Sequence, residues 1–221
     1  MAGNDARNGV RRSYACRVSP SARHLILSNA GTLVAALLLH WDFGWLLWPY
    51  WMQSVIIGWY ARKRMLGLDR FSTEGFTSNG QRVPEDESGK RSTARFFVMH
   101  YGIFHLMYLG FLSGMHAVKS PADMLVLFAC GISFVLSQRQ TYAAQHAADL
   151  RGKPNLGTLM FTPYLRVVPM HMAIIFGSAM GGGIAAIWLF TGLKTASDLL
   201  LDMIDRKMAV ASADKASALS G

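Results

Sequence analysis

The chain has 221 residues, of which 52% are hydrophobic and 16% charged, and its formal net charge is +9 at pH 7. Soluble domains carry about a quarter charged residues, and here the charges also lie between long uncharged runs, which excludes an ordinary soluble core. Because the basic residues flank these runs, as they do at membrane ends, the charge indicates a lipid bilayer as the partner and not nucleic acid.

The first part of the chain predicts two membrane spans and a long connection. Residues 1–22 are polar and basic, and we expect a disordered tail. The apolar run that follows predicts a span over about 24–40. A second span is predicted over about 44–61, where Trp and Tyr lie towards both ends and Pro49 should kink the helix. Residues 62–95 are rich in Gly, Ser and charge, so we expect a mobile cytoplasmic loop.

The middle of the chain predicts two further spans. The run over 96–116 contains no acid, Lys or Arg and is long enough to cross a bilayer. The next span, over about 121–138, has a clear start, because Ser120 is a favourable N-cap and Pro121 suits the first helical position. The polar sequence after it predicts a helical extension into water that ends at Gly152.

The last apolar region has two interpretations. Thr162 and Pro163 form a second pair of N-cap and first helical residue, which predicts a span over about 163–180. After three glycines, residues 184–204 form either a sixth span or an amphipathic helix on the membrane surface. Lys and Arg accumulate on the cytoplasmic side of membrane proteins, and this rule selects the sixth span.

The charge distribution also orients the chain. With six spans and a cytoplasmic N-terminus, 21 of the 22 Lys and Arg residues lie on the cytoplasmic side, and only Lys119 lies outside. The predicted fold class is therefore all-α, an integral membrane bundle of six transmembrane helices over residues 23–206 with both termini in the cytoplasm. Residues 207–221 are expected to be a disordered tail.

Polar residues of different spans fall at a similar depth when each span rises about 1.5 Å per residue. They predict one polar cluster in the cytoplasmic half of the bundle, because such groups need partners in hydrocarbon. Its members are Asn29, Gln53, His100, Arg166, His171, Lys194 and Asp198. Local explanations stay open: a histidine can bond a carbonyl freed by Pro169, Lys194 and Asp198 can pair four residues apart, and Arg166 can reach lipid headgroups.

The cluster also contains residue types that bind metals. His100, His171 and Asp198 would match an open site for Zn or Fe, although no HExxH motif accompanies them. His105 near mid-membrane and Lys194 are the candidates for a catalytic acid or base. Three classes of function stay open: a binder of a metal ion, proton or small ligand; a metal-dependent membrane enzyme; and a non-catalytic subunit of a membrane complex, a homo-oligomer or a small transporter.

Four segments resemble a family of bacterial multi-pass membrane proteins, the domain of unknown function 6498. They are PYWMQSVIIG (49–58), FFVMHYGIFH (96–105), PYLRVVPMH (163–171) and LKTASD (193–198). The resemblance covers most of residues 30–205. In that family the second span typically reads Tyr-Trp-Leu-Glu, and here Gln53 stands where the acid would be. The resemblance implies a multi-pass membrane protein and no known activity. We expect it in the bacterial inner (cytoplasmic) membrane.

Overall fold

The computed structural model describes residues 43–118, 120–179 and 183–218, together with Ala30, Val34 and Leu37 of the first apolar run, which are helical. The elements are helices α1 (Phe43–Leu66), α2 (Glu87–Met115), α3 (Pro121–Arg151), α4 (Leu156–Phe161), α5 (Tyr164–Ala179) and α6 (Ile184–Ala218), and strands β1 (Thr77–Ser78) and β2 (Gln81–Arg82). The predicted tail 1–22, most of the first span and Asn29 lie outside the described residues.

Side-chain caps set several helix boundaries. The Ser120 hydroxyl accepts a hydrogen bond from the Asp123 amide at 3.0 Å, and α3 runs from Pro121 to its C-cap, Gly152, which confirms both predicted ends. The prediction that Thr162 caps the start of α5 is wrong. Its amide and hydroxyl both donate to the Thr158 carbonyl, so Thr162 ends α4 instead.

The connection over 62–95, expected to be a loop, carries regular structure. Helix α1 continues to Leu66, α2 begins at Glu87, and β1 and β2 form an antiparallel hairpin between them. The hairpin turns through Asn79 and Gly80, which have φ values of 51° and 77°. Asn-Gly is the favoured pair for such a turn because both positions need positive φ. The C-terminal segment also differs from the expected disordered tail, since α6 is helical as far as Ala218.

Helices α1 and α2 lie antiparallel, and their side chains bond across the interface. The bonds run from Trp48 Nε1 to the His116 carbonyl (2.7 Å), from Trp51 Nε1 to the His105 carbonyl (3.0 Å) and from the Tyr101 hydroxyl to the Ser54 carbonyl (3.0 Å). Leu47, Phe97 and Met170 are almost fully buried in the core. The core therefore joins α1 to α2 and α5.

Within the part of the chain that the structure describes, four segments are long and apolar enough to cross a membrane: Glu87–Gly114, Pro121–Arg151, Leu156–Phe176 and Ile184–Ile204. Large apolar side chains point outwards from them, and Leu106 of α2 and Leu125 of α3 are 70% and 69% exposed among the described residues. An outward apolar surface of this kind fits lipid contact. Helix α1 coincides with the predicted second span but is not one of the four.

Candidate functional site

Three charged side chains meet between α5 and α6. Arg166 Nη2 lies 2.9 Å from one carboxylate oxygen of Asp198, and Lys194 Nζ lies 2.8 Å from the other. The Asp198 side chain is 2% exposed, and those of Arg166 and Lys194 are 12% and 19% exposed. We call these three residues the ion cluster. Arg166 is therefore held by a carboxylate inside the bundle, although the sequence also allowed contact with lipid headgroups.

Neighbouring polar contacts hold the ion cluster in place. The Tyr50 hydroxyl of α1 donates to the Arg166 carbonyl at 2.9 Å, and Lys194 Nζ lies 5.6 Å from the centre of the Tyr50 ring. Pro169 has no amide proton and cannot bond the Leu165 carbonyl. The Ser197 hydroxyl of α6 donates to that carbonyl at 2.5 Å, so a serine and not a histidine satisfies it.

A cavity of about 700 Å³ opens beside the ion cluster. Residues of α1, α3, α4 and α6 line it, together with Arg166 of α5 and the turn before that helix, and most of the lining residues are polar or charged. They include Gln53, Tyr60, Arg64, Thr141, Gln145, Asp198 and Asp202. The volume falls within the range of about 300–1,000 Å³ that is typical of small-molecule sites. Gln53, Arg166 and Asp198, three residues of the predicted cluster, thus lie at one cavity.

A second ion pair lies at the same cavity. Arg64 of α1 holds both carboxylate oxygens of Asp149 of α3, with Nη2 to Oδ1 at 2.9 Å, and the two side chains are 11% and 6% exposed. A two-bond Arg–carboxylate pair fixes orientation as well as distance. The C-terminal end of α3 is therefore fixed against α1. On α6, Asp202 pairs with Arg206 one turn further along.

The histidines do not join the ion cluster. His100 Nδ1 lies 2.9 Å from the Tyr164 hydroxyl, and His171 Nδ1 lies 3.1 Å from the Tyr108 hydroxyl. Over residues 43–118, 120–179 and 183–218, no group of three His, Cys, Asp or Glu side chains could hold a metal ion. The structure thus does not assemble the predicted Zn or Fe ligands His100, His171 and Asp198.

His105 lies in the interface of α1 and α2, away from the cavity. Its side chain is buried, and Nδ1 donates to the Tyr101 carbonyl at 2.9 Å. Its Nε2 atom and the Ser54 hydroxyl are buried without a hydrogen-bond partner among the described residues. Lys194, the other catalytic candidate, is bound to Asp198. These contacts give His105 a packing role between the two helices and give Lys194 a place in the ion cluster.

A polar clamp joins the connection between α1 and α2 to the turn before α4. Glu85 accepts hydrogen bonds from Lys153 Nζ (2.7 Å) and the Thr73 amide (3.0 Å), and Arg82 Nη2 lies 2.6 Å away. These contacts lower the pKa of Glu85 from about 4.5 to about 2, and the hydrogen bond from Lys153 has the largest effect. Ser72 adds backbone bonds to the 154–156 segment.

The sequence analysis missed two residues that line the cavity, Arg64 and Asp202, and it missed Asp149, which Arg64 binds. Arg64 lies outside the apolar runs, and Asp149 lies in the polar extension of α3. Their pairing therefore could not be predicted without the tertiary structure. The position of Asp202 could have been predicted, because charged residues recur at every fourth position along α6, at 194, 198, 202 and 206. Residues four apart share one helix face, and this spacing indicates a polar stripe.

Comparison with known proteins gives a family but no characterised relative. No curated protein and no solved structure matches the chain significantly. The family of unknown function DUF6498 matches residues 13–215, which is nearly the whole sequence. The chain therefore belongs to this family of unknown function, DUF6498.

Proposed function

We propose that this protein is a multi-pass membrane protein that binds a small polar ligand in the cavity beside the ion cluster. The observation that carries the proposal is the polar lining itself, contributed by several helices whose outer surfaces are apolar. Burying polar and charged groups between apolar helices costs several kcal/mol unless they are satisfied. A water-accessible binding site accounts for a polar cavity at this position in an otherwise apolar bundle.

The proposed threading has six spans, with residues 24–40 and helix α1 added to the four segments that are apolar enough to cross. Helix α1 has 24 residues, about 36 Å at 1.5 Å per residue, which is sufficient for a bilayer. The distribution of Lys and Arg supports two cytoplasmic termini. The family resemblance supports the bacterial inner membrane.

The cavity is proposed to open towards the cytoplasm. Its lining includes Arg64 near the end of α1, where Lys63 is also located. Gln138 and Gln140 of α3 also line it and flank Arg139 in the sequence. This basic end of the helices is the one that the positive-inside rule places in the cytoplasm. The ligand would therefore enter from the cell interior.

Ligand binding is preferred to catalysis because of where the candidate acid and base residues lie. His105 does not line the cavity, and Lys194 is bonded to Asp198. The metal ligands predicted from the sequence are not brought together among the described residues. The cavity's lining residues supply hydrogen bonds and charge, which are sufficient for selective binding.

Cysteine labelling tests both the cavity and its orientation. Thr141→Cys would be made in a Cys16→Ser/Cys130→Ser background, with Ile132→Cys on the same helix as the matched control. Thr141 lines the cavity, whereas Ile132 is 47% exposed on the apolar surface. Maleimides react with the thiolate, which forms in water and not in hydrocarbon.

We expect an impermeant maleimide to label Thr141→Cys rapidly in inside-out vesicles and slowly in right-side-out vesicles. Ile132→Cys should stay unlabelled in both preparations. Equal labelling of the two cysteines, or no labelling of Thr141→Cys, would contradict a water-filled cavity. Faster labelling from the outside would contradict the proposed threading.

A further inference from the structure

Another cavity lies between the hairpin and the first turns of α2. Its volume is about 480 Å³, and we call it the hairpin groove. It shares no lining residue with the cavity beside the ion cluster. Its polar lining comes from the hairpin and α2 and includes Ser78, Gln81, Arg82, Ser88 and Ser92. Its apolar lining includes three aromatic rings, those of Phe76, Phe96 and Phe161.

The polarity of the hairpin groove changes along one face of α2. Ser88, Ser92 and Phe96 are four residues apart and therefore share that face. At about 1.5 Å per residue, the row rises about 12 Å from Ser88 to Phe96. Phe96 follows Arg95 and begins a run without acid, Lys or Arg that continues to Val118. The headgroup region of one leaflet is about 5–8 Å thick, so a row of this length can cross it with Phe96 at the hydrocarbon end.

The apolar end of the groove opens to the outside of the bundle. Phe96 and Phe161 are 53% and 59% exposed, and they belong to two of the segments that are long and apolar enough to cross a membrane. Phe76, directly before β1, contacts Phe161 edge to face, with the ring centres 6.3 Å apart. A molecule in the groove can therefore lay an apolar chain against these rings while its polar end lies beside the hairpin.

Arg82 supplies the charge at the polar end. It is the one charged side chain among the described residues that line the groove, and it is 61% exposed. Its Nη2 atom bonds Glu85 at 2.6 Å, and its Nε atom bonds the Thr73 hydroxyl at 3.2 Å. Glu85 does not line the groove and is also bonded by Lys153. A guanidinium has five N–H groups in a planar fork, so Arg82 can keep both bonds and still bind a phosphate.

We propose that the hairpin groove binds one anionic phospholipid. Arg82 binds the phosphate, the polar side chains of Gln81, Ser88 and Ser92 bond the rest of the headgroup, and the acyl chains lie against the exposed aromatic rings. The formal net charge of +9 favours an anionic over a zwitterionic lipid. This lipid site goes beyond the proposed function. Because the two cavities are separate, either site can fail while the other stands.

The test compares two lipids that share a phosphate and differ in net charge, phosphatidylglycerol and phosphatidylcholine. Native mass spectrometry of the full-length protein in detergent micelles measures the fraction that carries each lipid during a titration. We expect the wild type to bind phosphatidylglycerol about fivefold more tightly, the contribution of one basic residue near anionic headgroups, and Arg82→Gln to lose this preference. Arg91→Gln is the matched control and should bind as wild type, because Arg91 is 73% exposed and does not line the groove.

Ser92→Trp tests the position of the lipid without changing the charge. Ser92 is exposed, so an indole at this position fills the groove without displacing a core side chain. It should weaken phosphatidylglycerol binding at least as much as Arg82→Gln does. Binding as in the wild type would place the lipid elsewhere and overturn the proposal. Equal losses for Arg82→Gln and Arg91→Gln, or equal binding of the two lipids by the wild type, would also overturn it.

Glycerol 3-phosphate distinguishes a lipid from a soluble phosphate. It carries a phosphate on the same glycerol backbone but has no acyl chains, so an excess of it should not displace phosphatidylglycerol from the wild type. Displacement that is lost in Arg82→Gln would assign the groove to a soluble phosphate and overturn the lipid proposal.

Discussion

Asp198→Asn is the substitution that tests the ion cluster most directly. The Asp198 side chain is 2% exposed and lies between two cations. Asparagine has nearly the same volume, so the change removes the charge without opening a cavity. Removing one partner of a buried ion pair typically costs about 3–5 kcal/mol, because the other charge stays buried and unpaired. At roughly 2–4 °C per kcal/mol for a chain of this size, the melting temperature should fall by about 10 °C.

The assay is thermal unfolding of the detergent-solubilised protein in chloride buffer, followed by the fluorescence of its six Trp residues. Asp202→Asn, one turn along the same helix, is the matched control. Its side chain is 15% exposed and that of Arg206 is 47% exposed, so water screens this pair better and the loss should be smaller than for Asp198→Asn. The double variant Asp198→Asn/Lys194→Gln should recover part of the loss, because it also removes one of the two cations that Asp198 pairs in the wild type. If Asp198→Asn is no less stable than Asp202→Asn, the ion cluster is not a buried one.

Three further substitutions give expected changes in the same unfolding assay. Gly58→Ala should destabilise the protein by about 1–3 kcal/mol, because a Cβ there would lie 2.5 Å from Tyr101 Cε1; Gly102→Ala, with open space around it, should not, and equal effects would refute the tight contact. Ser197→Ala should cost about 1–3 kcal/mol because it leaves the Leu165 carbonyl unsatisfied, and a neutral effect would show that the carbonyl has another partner. Glu85→Gln should lower stability by about 1 kcal/mol or less at pH 7. The pKa of Glu85 in the folded protein is lowered to about 2, so the stability difference between wild type and Glu85→Gln should shrink as the pH falls from about 5 towards 2. A stability difference that grows over this pH range would contradict the prediction.

The helical character of the described apolar runs could be predicted from the sequence. Helix α3 starts at Pro121 and ends before Gly152 as the capping residues indicate, because cap chemistry is local. The common depth of Gln53, Arg166 and Asp198 followed from helical rise and the charge distribution. The structure brings these three residues to one cavity.

The rotation of each helix about its axis could not be predicted from the sequence, and this rotation decides which side chains meet. His100 and His171 share the predicted level but bond tyrosines on neighbouring helices, so they do not reach the carboxylate. The hairpin was missed for a different reason. Its Asn79-Gly80 turn is a strong local signal, but the surrounding Ser, Gly and charge favoured a loop. Thr162 was assigned to the wrong helix because the same side chain can close one helix or cap the next.

The sparse burial of α3 has a consequence for access to the cavity. Over its 31 residues only Leu127 and Asp149 are buried among the described residues, and Asp149 is the residue bound by Arg64. The C-terminal part of α3 is held to α1 by the two-bond Arg64–Asp149 pair and by the contact of Tyr142 with Tyr60, while Ser197 and Arg166 cross-link α5 and α6 on the other side of the pocket. Loss of the Arg64–Asp149 pair would therefore loosen one wall of the cavity without removing a side chain from the apolar core.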